Sequence, residues 1–425
     1  MALFVLILVP LLAQPAVAEE GDNGGSADGA LPGRVDQLET ENAELRERVA
    51  ALENGGVSAA ADEALEDIEE EEEEEGGIGL GIRAERNNII ATLQIFGAVE
   101  FGHNNPAPPG GGHTSFAFGE VSFFGVAQIE ENFHVLSETV IKGGTGGPHF
   151  DQERLWGKWE FSDVIWVKFG LEHGQVSRWN RIFHHGRWLE TSISRPMLAR
   201  FESSGFMPSH NTGLEVGGRT DTGAGLLEYM VSITNGRGSV ATNPQKGSDG
   251  NDDKAFELAL NIRPAGTRDL QVGIFLRTDD IPADSTVAAR AGEIMQRIAT
   301  AFIDLRRGKI GIMTEFAYVE DDDSVSGQTF RHKSAYIQIE WQKSERTTPY
   351  ARLDWRDMDR GDPYYVELDR DLDRYEILVG VRQEITNNAA LKLEVGFGEH
   401  EARASNADVR DVSYFRIAVQ LSWVF

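Results

Sequence analysis

From about residue 78 onward the chain repeats one pattern, a run of about ten residues in which every second side chain is apolar. Leu93, Ile95, Gly97, Val99 and Phe101 alternate with Gln94, Phe96, Ala98 and Glu100. Ile165, Val167, Phe169 and Leu171 alternate with Trp166, Lys168, Gly170 and Glu172, and the final run carries Phe415, Ile417, Val419, Leu421, Trp423 and Phe425 on one face. Period two with one wholly apolar face specifies strands that touch apolar material on one side only. A soluble β-sandwich would turn those faces inward against each other, and a membrane barrel would turn them outward to lipid. The opposite face carries charges such as Glu100, Glu120, Lys158, Lys168, Glu215, Asp304, Asp354 and Lys392, which suits a watery lumen but also a sandwich surface.

The connections separate the two. Sixteen candidate strands begin near residues 89, 115, 133, 152, 164, 211, 224, 254, 269, 297, 309, 332, 347, 373, 389 and 412. Short links such as Ser162-Asp163, Thr220 to Gly223 and Arg307-Gly308 alternate with long ones such as His103 to His113, His173 to His210 and Thr278 to Gln296. Short turns at one end and long loops at the other are the pattern of bacterial outer-membrane barrels. The expected fold is therefore all-β, a 16-stranded antiparallel transmembrane barrel over 78–425. Trp156, Trp159, Trp166, Trp341, Trp355 and Trp423 fall in strands, where aromatic girdles at the membrane interfaces are expected.

Charge divides the remainder. Residues 1–75 hold 21 acidic and 3 basic side chains, so −18 of the net −29 lies there and −11 belongs to the rest. An excess this acidic argues against nucleic-acid binding. With no cysteine, disulfides and thiolate metal sites are excluded. After the first twenty residues no apolar stretch reaches the ~18 residues of a membrane helix. Leu3 to Leu12 followed by Ala16-Val17-Ala18 reads as a signal peptide cleaved after residue 18, although no Lys or Arg precedes the apolar run. Residues 19–33 read as a flexible linker. Over 34–54, Val35, Asn42 and Val49 repeat every seven residues, as do Leu38, Leu45 and Leu52, an a/d seam of three heptads that reads as an oligomeric coiled coil. Residues 55–77, with seven consecutive glutamates from Glu69 to Glu75, read as an acidic linker.

The last strand, Tyr414-Phe-Arg-Ile-Ala-Val-Gln-Leu-Ser-Trp-Val-Phe425, resembles the terminal signal read by barrel-assembly machinery, with Tyr414, Trp423 and Phe425 as its aromatic marks. The barrel region resembles the phosphate-selective porin O and P family through Val167-Lys-Phe-Gly-Leu171, Tyr229-Met-Val-Ser-Ile-Thr-Asn-Gly236 and Pro349-Tyr-Ala-Arg-Leu-Asp354. An N-terminal coiled coil ahead of the barrel is also similar to members of that group. The resemblance implies a homotrimeric, water-filled porin in a Gram-negative outer membrane, contacting lipid and passing small hydrophilic solutes or anions. It also implies a third external loop folded inward, with the coiled coil in the periplasm.

The longest connection, His173 to His210, is the third external loop in this count. It carries Arg178, Arg181, Arg187, Arg195 and Arg200, and His173, His184, His185 and His210 are expected to add positive potential near pH 6. Arg178, Arg181, His184, His185, Arg187, Arg195 and Arg200 are the candidate pore constriction, because charged side chains around a narrowing set ion selectivity. Arg219, Arg263, Arg277, Arg352, Arg382 and Arg416 are candidate pore-wall residues that extend the cationic track. The alternative is that loop arginines simply tie the loop to acidic walls such as Glu215 and Glu228. No cofactor or metal set is legible: His184-His185 with Glu190 lacks a third ligand at metal spacing and reads as a loop pair. Gly143 to Gly147 lacks the lysine of a phosphate cradle, and no Gly-x-Ser-x-Gly elbow occurs. The chain is therefore read as no enzyme. A barrel hydrolase with its serine and histidine far apart in sequence, and a non-conducting envelope anchor, are the competing classes.

Overall fold

The computed structural model describes residues 81–425, except 87–88, 106–112, 144–146, 201–205, 242–246, 248, 268, 285–291, 360, 366–373 and 404–408. The expected signal peptide, linkers and coiled-coil seam (Val35, Leu38, Asn42, Leu45, Val49, Leu52) lie outside the described residues. A five-residue strand, β1 (Ile82–Arg86), precedes sixteen longer ones. These are β2 (Ile89–Asn105), β3 (His113–Ile129), β4 (Phe133–Lys142), β5 (His149–Ser162), β6 (Ile165–His173), β7 (His210–Thr222), β8 (Gly225–Thr234) and β9 (Ala255–Pro264). They continue as β10 (Leu270–Ile281), β11 (Ile294–Arg307), β12 (Ile310–Asp323), β13 (Thr329–Trp341), β14 (Thr347–Met358), β15 (Arg374–Thr386), β16 (Ala389–Arg403) and β17 (Val409–Val424).

Each strand pairs antiparallel with the next, and β17 pairs with β2, so β2 to β17 close a 16-stranded barrel with no free edge. Closure is what permits strands to sit in lipid, because every backbone N–H and C=O finds a partner on a neighbouring strand. The seam is shared. β17 covers β2 from Phe96 to Asn105, and β1 covers β2 from Ile89 to Leu93. Between them the C-terminal residue takes its place in the ladder: Ile95 N donates to Phe425 O at 2.7 Å, and Phe425 N donates to Ile95 O at 3.0 Å. Strand starts fall within three residues of their expected positions; β1 was not anticipated. The expected alternation of connections holds except around β13, whose two flanking links, 324–328 and 342–346, are equally long, and the longest, 174–209, is the third long loop.

Burial is inverted relative to a soluble protein. Phe256, Ile274, Leu276, Ile377, Val379, Leu391, Leu393 and Phe397 are exposed on the outer face, while Glu120, Lys158, Lys168, Glu257, Arg277, Arg352, Asp354 and Lys392 are buried inside. An apolar band outside and charges inside are what a barrel in lipid requires. Trp159, Trp341 and Trp355 lie on the outer face, as expected of girdle residues. Trp156 and Trp166 do not: Trp156 is buried among Phe96, Phe124 and Leu136, Trp166 packs toward Phe275 and Phe302, and Lys168 sits over both indoles. The C-terminal aromatics also divide, since the Tyr414 hydroxyl reaches inward to Glu376 Oε1 at 2.6 Å while Phe425 is exposed outside.

Candidate functional site

The third long loop enters the barrel and crosses it. A short helix, α1 (Arg178–Phe183), opens with Ser177 as its cap, whose hydroxyl accepts from Asn180 N at 3.2 Å. The Glu315 carboxylate of β12 meets the start of that helix, accepting from Arg178 N at 2.8 Å, Trp179 N at 2.7 Å and the Tyr336 hydroxyl at 2.7 Å. A carboxylate there satisfies backbone N–H groups that have no partner within the helix. Gly186, at φ +85°, turns the chain sharply after His184-His185. A single turn of 3-10 helix, Met197–Ala199, then docks on Asp354 of β14, which accepts from Met197 N at 2.8 Å.

Inner-wall charges hold the loop by its backbone. Arg352 donates to Ser194 O at 2.6 Å and Arg195 O at 3.0 Å, and Arg382 donates to Glu190 O at 3.0 Å and to Trp188 O. Lys392 donates to Arg187 O and Ser192 O, and Glu394 accepts from Ile193 N at 3.1 Å and Ser194 N at 3.3 Å. On the adjoining wall, β11 to β13, Val176, Trp179, Leu198, Phe206 and Met207 pack on Ile298, Met313, Ala317 and Tyr336, joined by Tyr364 and Tyr365 from the loop after β14. The Arg237 guanidinium, from the loop after β8, links this mass by donating to Phe206 O, Gln296 Oε1 and the Tyr365 hydroxyl. One side of the lumen is therefore filled.

The other side stays open. A cleft of about 500 Å³ lies between the loop and β2, β3 and β17, lined by Arg187, Arg195, Arg200, Arg416 and Glu100 among others. The four guanidiniums are paired, but their partners lie behind them. Arg187 and Arg195 approach Glu190 and Glu120, Arg200 pairs with Glu376, and Arg416 pairs with Glu376 at 3.1 Å and Glu394 at 3.3 Å. The arginine side chains are 13–21% exposed and these carboxylates 0–6%. Beside the one lining carboxylate, Glu100, an ion in the cleft meets four guanidiniums, and the field of the nearest charges dominates at contact distance.

The candidate residues thus divide by place. Arg187, Arg195, Arg200 and Arg416 meet at the cleft. Arg178 pairs with Asp304 at 3.3 Å over the Phe302 ring, and Arg181 lies over Phe275, both on the filled side. Arg352 and Arg382 are buried beneath the loop, and Arg277 is fully buried between Glu257 and Asp279. Arg219 faces Asp163 and Arg263 faces Glu228, each at 3.8 Å.

His184 and His185 go elsewhere, into a buried cluster with His173, His210 and Glu153. Their expected charge is not shared evenly. Burial, then the neighbouring His185, holds His184 well below the ordinary imidazole range, so it carries no positive charge near pH 6. Burial would lower His185 too, but Glu153 and Glu120 carry it up to about 9. Glu153 was not a candidate in the sequence. It is the extra residue of a β-bulge: Arg154 pairs with Glu138 and Gln152 with Thr139, so Glu153 has no opposite number and its side chain turns inward beside that of Arg154. Two adjacent charges inside an alternating strand were the only local sign.

No family model matches the chain, and no curated protein matches it. Solved structures do. An outer membrane channel, DcaP of Acinetobacter baumannii, is similar with a TM-score of 0.57 at 10% identity, over 81% of this chain and 99% of that one. An anion-selective porin from Comamonas acidovorans is similar with a TM-score of 0.58 at 11% identity, over 79% of this chain and all of that one. OmpT of Vibrio cholerae in its trimer form gives 0.52 at 10% identity over 79% of this chain. At such identities the likeness establishes the fold: this is a porin-type 16-stranded barrel.

Proposed function

We propose that this chain is an outer-membrane porin of a Gram-negative bacterium, a diffusion channel for small hydrophilic solutes that favours anions. The observation that carries the reading is the layered cleft, in which Arg187, Arg195, Arg200 and Arg416 face the water and Glu120, Glu190, Glu376 and Glu394 lie buried behind them. The apolar outer face supports insertion in lipid, and the C-terminal strand ending on Phe425 supports handling by barrel-assembly machinery. The likeness to an anion-selective porin, and to a barrel in trimer form, supports anion preference and a homotrimer here. Because one side of the lumen is filled, each barrel conducts through the remaining cleft alone. That geometry favours a small conductance over a closed anchor.

The test is the reversal potential of the purified protein in a planar bilayer under a KCl gradient. The expected sign is that of chloride permeation, and Arg187→Ala with Arg195→Ala should shift it toward cations. A cation-selective wild type overturns the anion reading, and insertion without conductance overturns the channel. The phosphate preference implied by the resemblance is tested in the same setting by whether phosphate, at millimolar concentration, blocks the chloride current.

A further inference from the structure

We propose that His173, His184 and His210, with Glu153, bind a divalent transition-metal ion of the zinc class that clamps the neck of the third loop to the barrel wall. The ring nitrogens of the three histidines fall within 4.8 Å of one another, and the same holds for Glu153, His184 and His185. Glu153 Oε2 lies 2.5 Å from His210 Nε2 and 3.5 Å from His184 Nε2. Ligands about 2.0–2.2 Å from a tetrahedral zinc sit roughly 3.4 Å apart, so the histidine nitrogens must draw together by on the order of 1 Å and the Glu153–His210 contact must open by about as much for the ion to enter. All of it is buried, with His173 at 2%, His184 at 1%, His210 at 3% and Glu153 at 0% exposure.

Three details separate this cluster from a packed group of core histidines. First, His184 is oriented from behind. The Asn180 amide donates to Gly174 O at 2.9 Å and Ser209 O at 3.0 Å, so its oxygen must accept from His184 Nδ1, 2.5 Å away. That fixes the tautomer and turns the Nε2 lone pair toward Glu153, as the hydrogen bond behind a metal-bound histidine does. Second, both ring nitrogens of His173 are buried without a hydrogen bond, although Glu138 Oε2 lies 3.6 Å from Nε2. Third, the two oxygens of Glu153 divide their neighbours. Lys142 Nζ at 2.6 Å and His185 Nε2 at 3.2 Å face Oε1, which leaves Oε2 to the imidazoles. Three imidazoles and a carboxylate are a donor set that suits zinc and its neighbours rather than calcium or magnesium. The ligands come from the end of β6, the start of β7, the residue after α1 and the bulge in β5, so one ion would join both ends of the loop to its helix and to the wall.

The experiment uses the full chain without a histidine tag, stripped with EDTA in detergent and dialysed against Zn²⁺ alone, then against Co²⁺ alone. The expected result is one zinc per barrel and a cobalt spectrum of four-coordinate type. His184→Ala and His210→Ala should each weaken binding about tenfold or more, whereas the exposed His149→Ala leaves it unchanged. Failure of the folded wild type to retain stoichiometric zinc overturns the site. So does equal loss in His149→Ala and His184→Ala, which would mark adventitious surface binding. Should an alanine variant not fold, Glu153→Gln keeps the side chain's shape and must still weaken binding; undiminished affinity there also overturns the assignment.

Discussion

At Gly170 in β6 the backbone takes φ +134°, and a Cβ added there would lie 2.2 Å from Leu155 O and 2.7 Å from Trp156 Cα. Neither atom can move without parting the β5–β6 ladder in which Trp156 pairs with Gly170. Gly170→Ala is therefore expected to destabilise the barrel by about 1–3 kcal/mol or to prevent folding, read as a fall in the thermal unfolding midpoint in detergent. Gly223→Ala, in the open turn between β7 and β8 where nothing lies within 4 Å, is the control and should leave the midpoint nearly unchanged. Equal midpoints for the two variants would remove the steric argument. The same strand pair explains why some single residues were hard to read in the sequence. Trp156 obeys the period-two rule for an inner position, but a tryptophan in a membrane strand suggests an outer girdle. Only Lys168 over its ring and the glycine beneath it show why it turns inward. Glu153 was hidden for another reason, since a bulge is a one-residue departure that alternation alone does not place.

The third loop is an element whose position depends on carboxylates far away in the chain. Glu315 gathers Ser177, Arg178, Trp179 and Tyr336, and Glu394 gathers Ile193, Ser194 and Tyr350. Removing one such buried acceptor leaves several donors without partners, at a cost of about 1–3 kcal/mol for each group left unpaired. Because the barrel ladder is independent of these bonds, the loss should fall on the loop. Glu394→Ala is expected to leave barrel folding intact while raising single-channel conductance and current noise, since the loop segment bordering the cleft loses its anchor. Glu315→Ala frees the opposite end of the loop and should raise noise more than conductance. Unchanged traces in both variants would mean that the wall cations and apolar packing hold the loop without these carboxylates. The loop's length and basic content were legible, and so was the alternative that its arginines tie it to acidic walls. Which arginines reach water was not legible. Arg352 and Arg416 look equivalent in the sequence, yet one is buried on the loop's carbonyls and the other lines the cleft. That distinction depends on how deep the loop descends, a property of contacts between residues more than 150 positions apart.

For the molecule as a whole, closure of the barrel is the feature on which membrane residence depends, and the seam is where it is least redundant. Sixteen strands were readable because each repeats the same outward apolar face and most connections alternate in length. β1 was not, because Ile-Arg-Ala-Glu-Arg carries a single large apolar side chain and no sustained alternation. Its place is set by what β17 leaves uncovered. With β17 ending opposite Phe96, the edge of β2 away from β3 would, from Ile89 to Leu93, face the membrane boundary unpaired were it not for Ile82 to Arg86. Unpaired amides in hydrocarbon cost several kcal/mol each in the limit, although this end of β2 lies close to the short-turn interface, where water can share the burden. Removing residues 19–86 should therefore lower the unfolding midpoint and loosen the seam. Removing only residues 19–77 keeps β1 and should leave both midpoint and ion selectivity as they are, because under the proposed function the layered arginines, not the −18 of the N-terminal region, face the permeating ion. If the shorter deletion alone reverses selectivity, the acidic segment rather than the cleft governs the channel. If the longer one costs nothing beyond the shorter, β2 needs no partner at that edge, and β1 is an appendage rather than part of the wall.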